Sequence, residues 1–396
     1  MAVSKKIRQF MEQGSWIRRM FEEANTLRAK IGPDKVFDLS LGNPIMEPPQ
    51  EFYQELRRLA EHPLPGMHRY MPNAGYAETR AAVAGQLREE TGLDFTANEV
   101  IMTCGAGGAI NVVMKTLLDP GDQVVIFAPY FVEYHFYADN HSGSCKVVPP
   151  DKDFLPDMKA FEAALNPRTR IVLINSPNNP TGALYPWRVI AELAEIIRRK
   201  EQEFGTEIFL VSDEPYRKLI FDGLEYPHIF PHHIRSIVAT SHSKDLALPG
   251  ERIGYAAVHP QYPDRAELMD GLTFCNRTLG FVNAPALMQH IVKSLQGVTV
   301  NVAEYQAKRD FLYKELTSMG YSMVKPQGAF YMFPKSPLED EVAFVNILRE
   351  SNVLVVPGRG FGMPGYFRLS YCVADREIQG ALPGFRAAMD RVRKGA

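Results

Sequence analysis

Thr240-Ser-His-Ser-Lys-Asp-Leu-Ala-Leu-Pro-Gly-Glu-Arg-Ile-Gly254 is the stretch on which the reading of this chain turns. It follows one short apolar run, Ile237–Ala239, and leads into another, Ile253–Val258. It therefore reads as a polar crossing between two buried strands. Ser241 and Ser243 precede Lys244, and Arg252 follows that lysine by eight residues. On its own the segment is equally an ordinary polar loop with a solvated lysine, so its surroundings must decide.

Upstream, short apolar runs recur at Val100–Met102, Val124–Phe127, Ile171–Ile174 and Ile208–Val211, with amphipathic stretches such as Ala109–Leu118 and Trp187–Phe204 between several of them. This alternation predicts an α/β fold, a mostly parallel central sheet with helices on both faces. After about Ala284 the texture turns helix-rich, with a long stretch at Asn301–Met319 and two strand candidates, Tyr321–Val324 and Ala329–Phe333. Ser4 to Lys30 shows helical spacing interrupted near Gly14, and Leu39-Ser-Leu-Gly-Asn-Pro44 reads as a short strand entering a turn. The expected organisation is a large domain over 43–284 and a smaller α+β domain built from both chain ends, 1–42 and 285–396. The N-terminal helix is expected to pack with the C-terminal part.

In open α/β sheets, ligands bind beyond the carboxyl ends of the strands. Three further polar segments stand at such ends. Asp213-Glu-Pro-Tyr216 closes one run; a carboxylate there is partly buried and calls for a cationic partner, although a helix cap uses the same residue type. Asn175-Ser-Pro-Asn-Asn-Pro-Thr-Gly182 closes another with turn chemistry and X-Pro steps that can be cis. Thr103-Cys-Gly-Ala-Gly-Gly-Ala109 joins a strand to a helix and offers free backbone N–H groups to a phosphate. A dinucleotide fingerprint fails on spacing, because Gly105-x-Gly107-x-x is followed by Ile110.

In this order, these four segments resemble the fold-type I pyridoxal-phosphate (PLP) enzymes of the class I/II aminotransferase family. Tyr70-Met-Pro-Asn-Ala-Gly75, Pro129-Tyr-Phe131 and Phe367-Arg-Leu-Ser370 extend the resemblance over nearly the whole chain. It implies an aminotransferase of amino-acid metabolism, biosynthetic in role, that moves an amino group from an L-amino acid to a 2-oxo acid by a ping-pong route. By the same resemblance, Lys244 forms the aldimine with the cofactor and then carries the proton. Asp213 pairs with the pyridine nitrogen, Asn179 and Tyr216 bond the phenolic oxygen, and Phe131 stacks on the ring. Arg252, Ser241, Ser243 and the backbone of Gly105, Ala106 and Gly107 hold the phosphate. Tyr70 matches a tyrosine that reaches the phosphate from a neighbouring subunit, which implies a homodimer. Arg368 grips the substrate α-carboxylate, with Gly42 and Asn179 on the substrate side.

The chain departs from the family pattern in places. Phe131 stands where many aspartate enzymes have tryptophan, and Gly107 where some have lysine. Arg277 lies near a position used for a distal carboxylate, with its spacing to Asn283-Ala-Pro285 off by one. The donor is thus left open. A carbon–sulfur β-lyase or a racemase shares the same cofactor grip. A PLP-binding sensor domain would carry a helix-turn-helix region, for which the roughly forty residues before Leu-Gly-Asn-Pro leave no room.

The 396 residues, 45% hydrophobic and 23% charged, can bury a core without disulfides or metals. A net charge of −2 makes no case for nucleic acid or an acidic membrane. No apolar run reaches the ~18 residues of a membrane span. Lys5, Lys6 and Arg8 are followed by Phe10 and Met11 and then at once by Glu12 and Gln13, so no signal-peptide core is expected. Cys104, Cys145, Cys275 and Cys372 are scattered, which fits reduced thiols and a cytoplasmic protein. His228, His232 and His233 cluster around prolines that prevent a simple helical pair, so no metal site is expected.

Overall fold

A two-residue strand, β1 (Phe37–Asp38), precedes the central sheet, whose members are β2 (Val100–Thr103), β3 (Gln123–Phe127), β4 (Ser144–Val148), β5 (Thr169–Asn175), β6 (Phe209–Asp213), β7 (Ser236–Ser241) and β8 (Gly254–Val258). The computed structural model describes residues 2–13 and 16–395. The spatial order is β2-β8-β7-β6-β5-β3-β4. Strands β4, β3, β5, β6 and β7 pair in parallel, and β8 runs antiparallel to both of its neighbours. The sheet is therefore mostly parallel.

Both faces are covered, which is why these strands read as continuous apolar runs. Val125, Phe127, Val172 and Ile174 join one core cluster, while Val124, Ile126, Ile171 and Leu173 join the other. Each fully buried Val, Leu or Ile contributes ~1.5–3 kcal/mol, so a one-residue slip in register would be costly. The helix Trp187–Phe204 buries Val189, Ile190, Leu193, Ile196 and Ile197 on one face and stops at Gly205, whose φ of 66° suits a left-handed cap.

A smaller unit follows. Val353–Leu354 (β10) pairs in parallel with β1. Tyr331–Met332 (β9), Val356–Pro357 (β11) and Phe367–Ser370 (β12) form a three-stranded antiparallel sheet in the order β11-β12-β9. Its core joins both chain ends, with Met20 and Leu39 packed among Phe330, Phe344, Phe367 and Phe385. Met288, Ile291, Val292 and Leu295 pack instead with the large sheet.

Several expectations need correction. The strand expected at Leu39–Pro44 lies one step earlier, at Phe37–Asp38; Leu39 still donates to the Leu354 carbonyl at 2.9 Å, but the chain then leaves the ladder toward the site. Tyr321–Val324 is not a strand: one bond, Lys335 N–H to the Ser322 carbonyl at 2.9 Å, does not extend into a ladder. Edge strand β4 was not anticipated, because its exposed Ser144 and Lys146 break the apolar run. The helix Trp16–Ile31 packs with the C-terminal part through Met20, as expected. The helix Lys5–Gln13 instead meets the large unit, with Phe10 edge-on to Phe136 at 5.0 Å and Lys6 paired with Asp139. The break expected near Gly14 lies outside the described residues.

Candidate active site

With β8 antiparallel between them, β2 and β7 point the same way. The carboxyl ends of β2, β3, β5, β6 and β7 therefore open on one edge of the sheet. Register places Asn175 beside Asp213 and Asp213 beside Ala239, with Gly254 set between Thr103 and Ser241. The four polar segments converge there on a cavity of about 320 Å³, a size suited to a small ligand. Gly42, Ala106, Gly107, Phe131, Asn179, Asp213, Tyr216, Ser241, Ser243, Lys244, Arg252 and Arg368 all line it.

Lys244 stands in the one-turn helix His242–Asp245 directly after β7. Its Nζ donates to the Gly42 carbonyl at 2.7 Å and lies 5.3 Å from the Phe330 ring. Burial lowers its pKa from 10.5 to about 8, and Arg368 and Arg252 push the same way. A much larger share of the amine is thereby neutral near pH 8 than for a solvated lysine.

Asp213 ends β6 and is buried. The expected cationic partner is not there: among the described residues Asp213 makes no ion pair with another side chain. Instead the Tyr134 hydroxyl donates to its Oδ2 at 2.5 Å. Burial raises the carboxyl pKa from 3.8 to about 7, against the lowering effect of that bond. Oδ1 is buried with no hydrogen-bond partner. Such an oxygen suits a cationic N–H donor.

Arg368, on β12, is 2% exposed, yet no carboxylate pairs with it among the described residues. Its Nη1 donates to Asn179 Oδ1 at 3.0 Å and Nη2 donates to the Ser40 carbonyl. The guanidinium packs over the rings of Tyr331, at 4.6 Å, and Phe361, at 4.8 Å. Its Nε has no partner. A buried guanidinium without a counter-charge is a place for an anion. Gly42 is required beside it, since a Cβ there would stand 1.8 Å from the Tyr331 hydroxyl oxygen. That hydroxyl is 3.1 Å from the Tyr216 hydroxyl, and burial raises the pKa of both phenols.

The helix Gly105–Leu117 begins just beyond β2. Gly105 has a φ of +73°, and a Cβ on it would sit 2.8 Å from Arg252 Nη2. Gly105 thus lies beneath Arg252 rather than on the cavity wall. Arg252 donates to the Pro249 carbonyl at 3.0 Å. A helix start beside a guanidinium favours a phosphate.

Besides Gly105, Tyr70 and Arg277 stand outside the cavity. Tyr70 is 90% exposed, and Arg277 lies over the Phe274 ring at 5.4 Å. Conversely, Tyr134, Tyr137, Tyr331 and Asn175 line the cavity without having been singled out. Asn175 Oδ1 accepts from Asn179 N–H at 2.8 Å, and its Nδ2 donates to the Asp213 carbonyl at 2.9 Å. Tyr134 falls three residues after Phe131 and Tyr331 inside the strand candidate Ala329–Phe333, so position near a motif was the available signal.

These groups fit PLP. The unpartnered Asp213 Oδ1 suits a protonated ring nitrogen, the Lys244 amine suits an aldehyde, and the Gly105 turn with Arg252 suits a phosphate. Comparison with known proteins gives the class. Residues 34–383 match the family described as aminotransferase class I and II, so the chain belongs to that family and is a PLP-dependent transaminase. Nearer relatives are individual enzymes. The aspartate/prephenate aminotransferase of Thermus thermophilus is 33% identical over 360 residues, covering 89% of this chain and 91% of that one. The aromatic-amino-acid aminotransferase 2 of Thermococcus litoralis is 29% identical, covering 100% and 98%. The crystal structure of an aminotransferase from Eubacterium rectale superposes with a TM-score of 0.95 at 37% identity, covering 99% of each chain.

Proposed function

We propose that this transaminase works through Lys244, Asp213 and Arg368, with an L-amino acid and a 2-oxo acid as its two substrates. The observation that carries the reading is the meeting, in one cavity, of a buried amine of lowered pKa, an unpartnered buried carboxylate oxygen and an uncompensated buried guanidinium.

When bound, PLP supplies an aldehyde that links to amines and a ring that accepts electrons from the substrate Cα. Lys244 Nζ would be the group that holds the aldehyde, and as a free amine it would move the proton to and from the substrate Cα. Burial keeps a usable fraction of it neutral for that work. Asp213 Oδ1 would hold the ring nitrogen protonated, while Tyr134 fixes the other oxygen. Tyr216 and the amide of Asn179, whose Oδ1 is occupied by Arg368, would serve the phenolic oxygen. Phe131 would pack against the cofactor. Arg252, Ser241, Ser243 and the backbone N–H groups of Gly105, Ala106 and Gly107 would hold the phosphate. Arg368, with Asn179 and Gly42 about it, takes the α-carboxylate in a planar two-point contact.

Tyr70, exposed and not among the residues that line the cavity of its own chain, would serve the phosphate of a second copy, which makes the enzyme a homodimer. We place it in the cytoplasm, in amino-acid biosynthesis; its four cysteines are free. No helix among the described residues is long and apolar enough to cross a membrane. We retain a large domain at 43–284 and a small one from 1–42 and 285–396, although Met288, Ile291, Val292 and Leu295, just past that boundary, pack with the large sheet. The substrates in these relatives' names make aspartate, prephenate and aromatic amino acids the first donors and acceptors to try.

Borohydride treatment of the PLP-loaded protein should fix the cofactor on the peptide containing Lys244; fixation on another lysine overturns the assignment. An amino acid with 2-oxoglutarate should yield glutamate, whereas pyruvate and ammonia from a sulfur-bearing donor would instead support a β-lyase.

A further inference from the structure

Asp213 and Tyr216 are three residues apart, yet they belong to different packing units. Asp213 closes β6 in the large sheet, whereas Tyr216 packs with Leu219, Phe221 and Phe330 in the core of the small unit. The chain passes between the units from Glu214 to Lys218, with the side chains of Arg217 and Lys218 still bonded to Glu90, Tyr255 and Asp245 of the large unit. Beyond Tyr216 the segment is tied to the small unit by its backbone. Phe221 N–H donates to the Gln327 carbonyl at 2.9 Å, Ala329 N–H to the Leu219 carbonyl at 2.9 Å, and Ile220 bridges to Gly328.

Arg309, from the helix Val302–Met319, closes this attachment. Its Nη1 and Nη2 donate to the two oxygens of Asp222 at 2.8 and 2.7 Å, and Nη1 also donates to the Pro326 carbonyl at 2.7 Å. The guanidinium lies over the Phe221 ring at 4.8 Å. The Arg309 side chain is 0% exposed and that of Asp222 is 40% exposed. Asp222 is held at a φ of 60°, and its N–H donates to Gln306 Oε1 at 3.0 Å. Lys325 approaches the same carboxylate from outside at 4.0 Å. A bidentate guanidinium–carboxylate contact fixes orientation as well as distance. Here it locks the segment that follows Tyr216 onto the stretch at Pro326 that leads into β9, the strand that carries Tyr331. That hydroxyl meets Tyr216, and that ring carries Arg368.

We propose that Arg309 and Asp222 are positioning residues for Tyr216, a clamp that sets its hydroxyl over the cofactor site relative to Asp213. This rests on the reading that Tyr216 bonds the phenolic oxygen of bound PLP. A donor to that oxygen favours its charged form and lowers the pH at which the cofactor–lysine linkage loses its proton. A loosened clamp lets the hydroxyl drift and weakens a bond that depends steeply on geometry.

The test is a visible-absorbance pH titration of PLP-loaded wild type, Tyr216→Phe, Asp222→Asn, Arg309→Lys and the double variant Tyr216→Phe/Asp222→Asn. Asparagine tolerates the left-handed backbone at 222 and keeps one acceptor, so this variant should fold even where Arg309→Lys does not. Tyr216→Phe should raise the midpoint by about one pH unit. Asp222→Asn should raise it by roughly half as much, and the double variant should match Tyr216→Phe alone, because the clamp acts through that hydroxyl. Lower thermal stability with an unmoved midpoint in Asp222→Asn would make the pair merely structural and overturn the clamp. Shifts that add in the double variant would overturn it too. No shift in Tyr216→Phe itself would remove the reading of Tyr216, and the clamp with it.

Discussion

Replacing Asp213 by asparagine removes a charge that the protein without its cofactor disfavours. Burial raises this carboxyl from 3.8 to about 7. Below 3.8 it is protonated in both folded and unfolded chains. As pH rises toward about 7 the unfolded chain ionises first and stability is lost; above that the loss is complete. A shift of about three pKa units corresponds to about 4 kcal/mol. Asparagine avoids that cost but leaves an amide N–H unpaired, at about 1–3 kcal/mol. The cofactor-free Asp213→Asn variant should therefore be about 1–3 kcal/mol more stable than wild type at pH 8. The advantage should shrink by roughly 2–3 kcal/mol on going to pH 5. Urea denaturation across this range reads it directly. With PLP bound the sign reverses, because an amide cannot hold a charged ring nitrogen. Turnover should fall by about two to four decades, from a lost buried pair worth ~3–5 kcal/mol. A variant that is less stable than wild type by the same margin at every pH, in the absence of PLP, would refute the reasoning.

Three further outcomes follow from the cavity. Arg368→Lys should lower kcat/KM by about thirty- to a thousand-fold for every α-amino acid, a loss of about 2–4 kcal/mol, while PLP content stays near wild type; a loss confined to one donor would count against its role. Gly105→Ala should weaken PLP binding about tenfold or more in an equilibrium titration, since the methyl meets Arg252 at 2.8 Å and the left-handed backbone adds ~1–2 kcal/mol of strain; unchanged affinity would remove the phosphate role of this turn. Mixing inactive Lys244→Ala with inactive Tyr70→Asp should regenerate some activity in hybrid dimers, and a fully active monomer would exclude the shared site.

The buried strands of the parallel sheet were legible because both of their faces meet apolar cores, so each is a continuous apolar run. Strand β4 was not, because an edge strand needs only half of that pattern, and Tyr321–Val324 shows the converse, apolar residues without a ladder partner. Long helices were legible from their period, as at Trp187–Phe204. The candidate site was legible where several reactive residue types share one short segment at a strand end, as at Ser241 to Arg252. Tyr134 and Tyr331 offered no such grouping.

By itself, then, the sequence determined the α/β class, the edge of the sheet at which the candidate site opens and the residue types gathered there. Those depend on local patterns of polarity and turn formation. Tertiary structure alone decided that Asp213 takes a bond from Tyr134, seventy-nine positions away, and that Arg368 takes Asn179, across 189 positions. It also decided that burial lowers the pKa of Lys244 to about 8 and raises that of Asp213 to about 7. Partners that far apart meet only when the sheet register and the packing of the two units bring them together. A pKa moves only when that packing has excluded the water that would otherwise stabilise the charge.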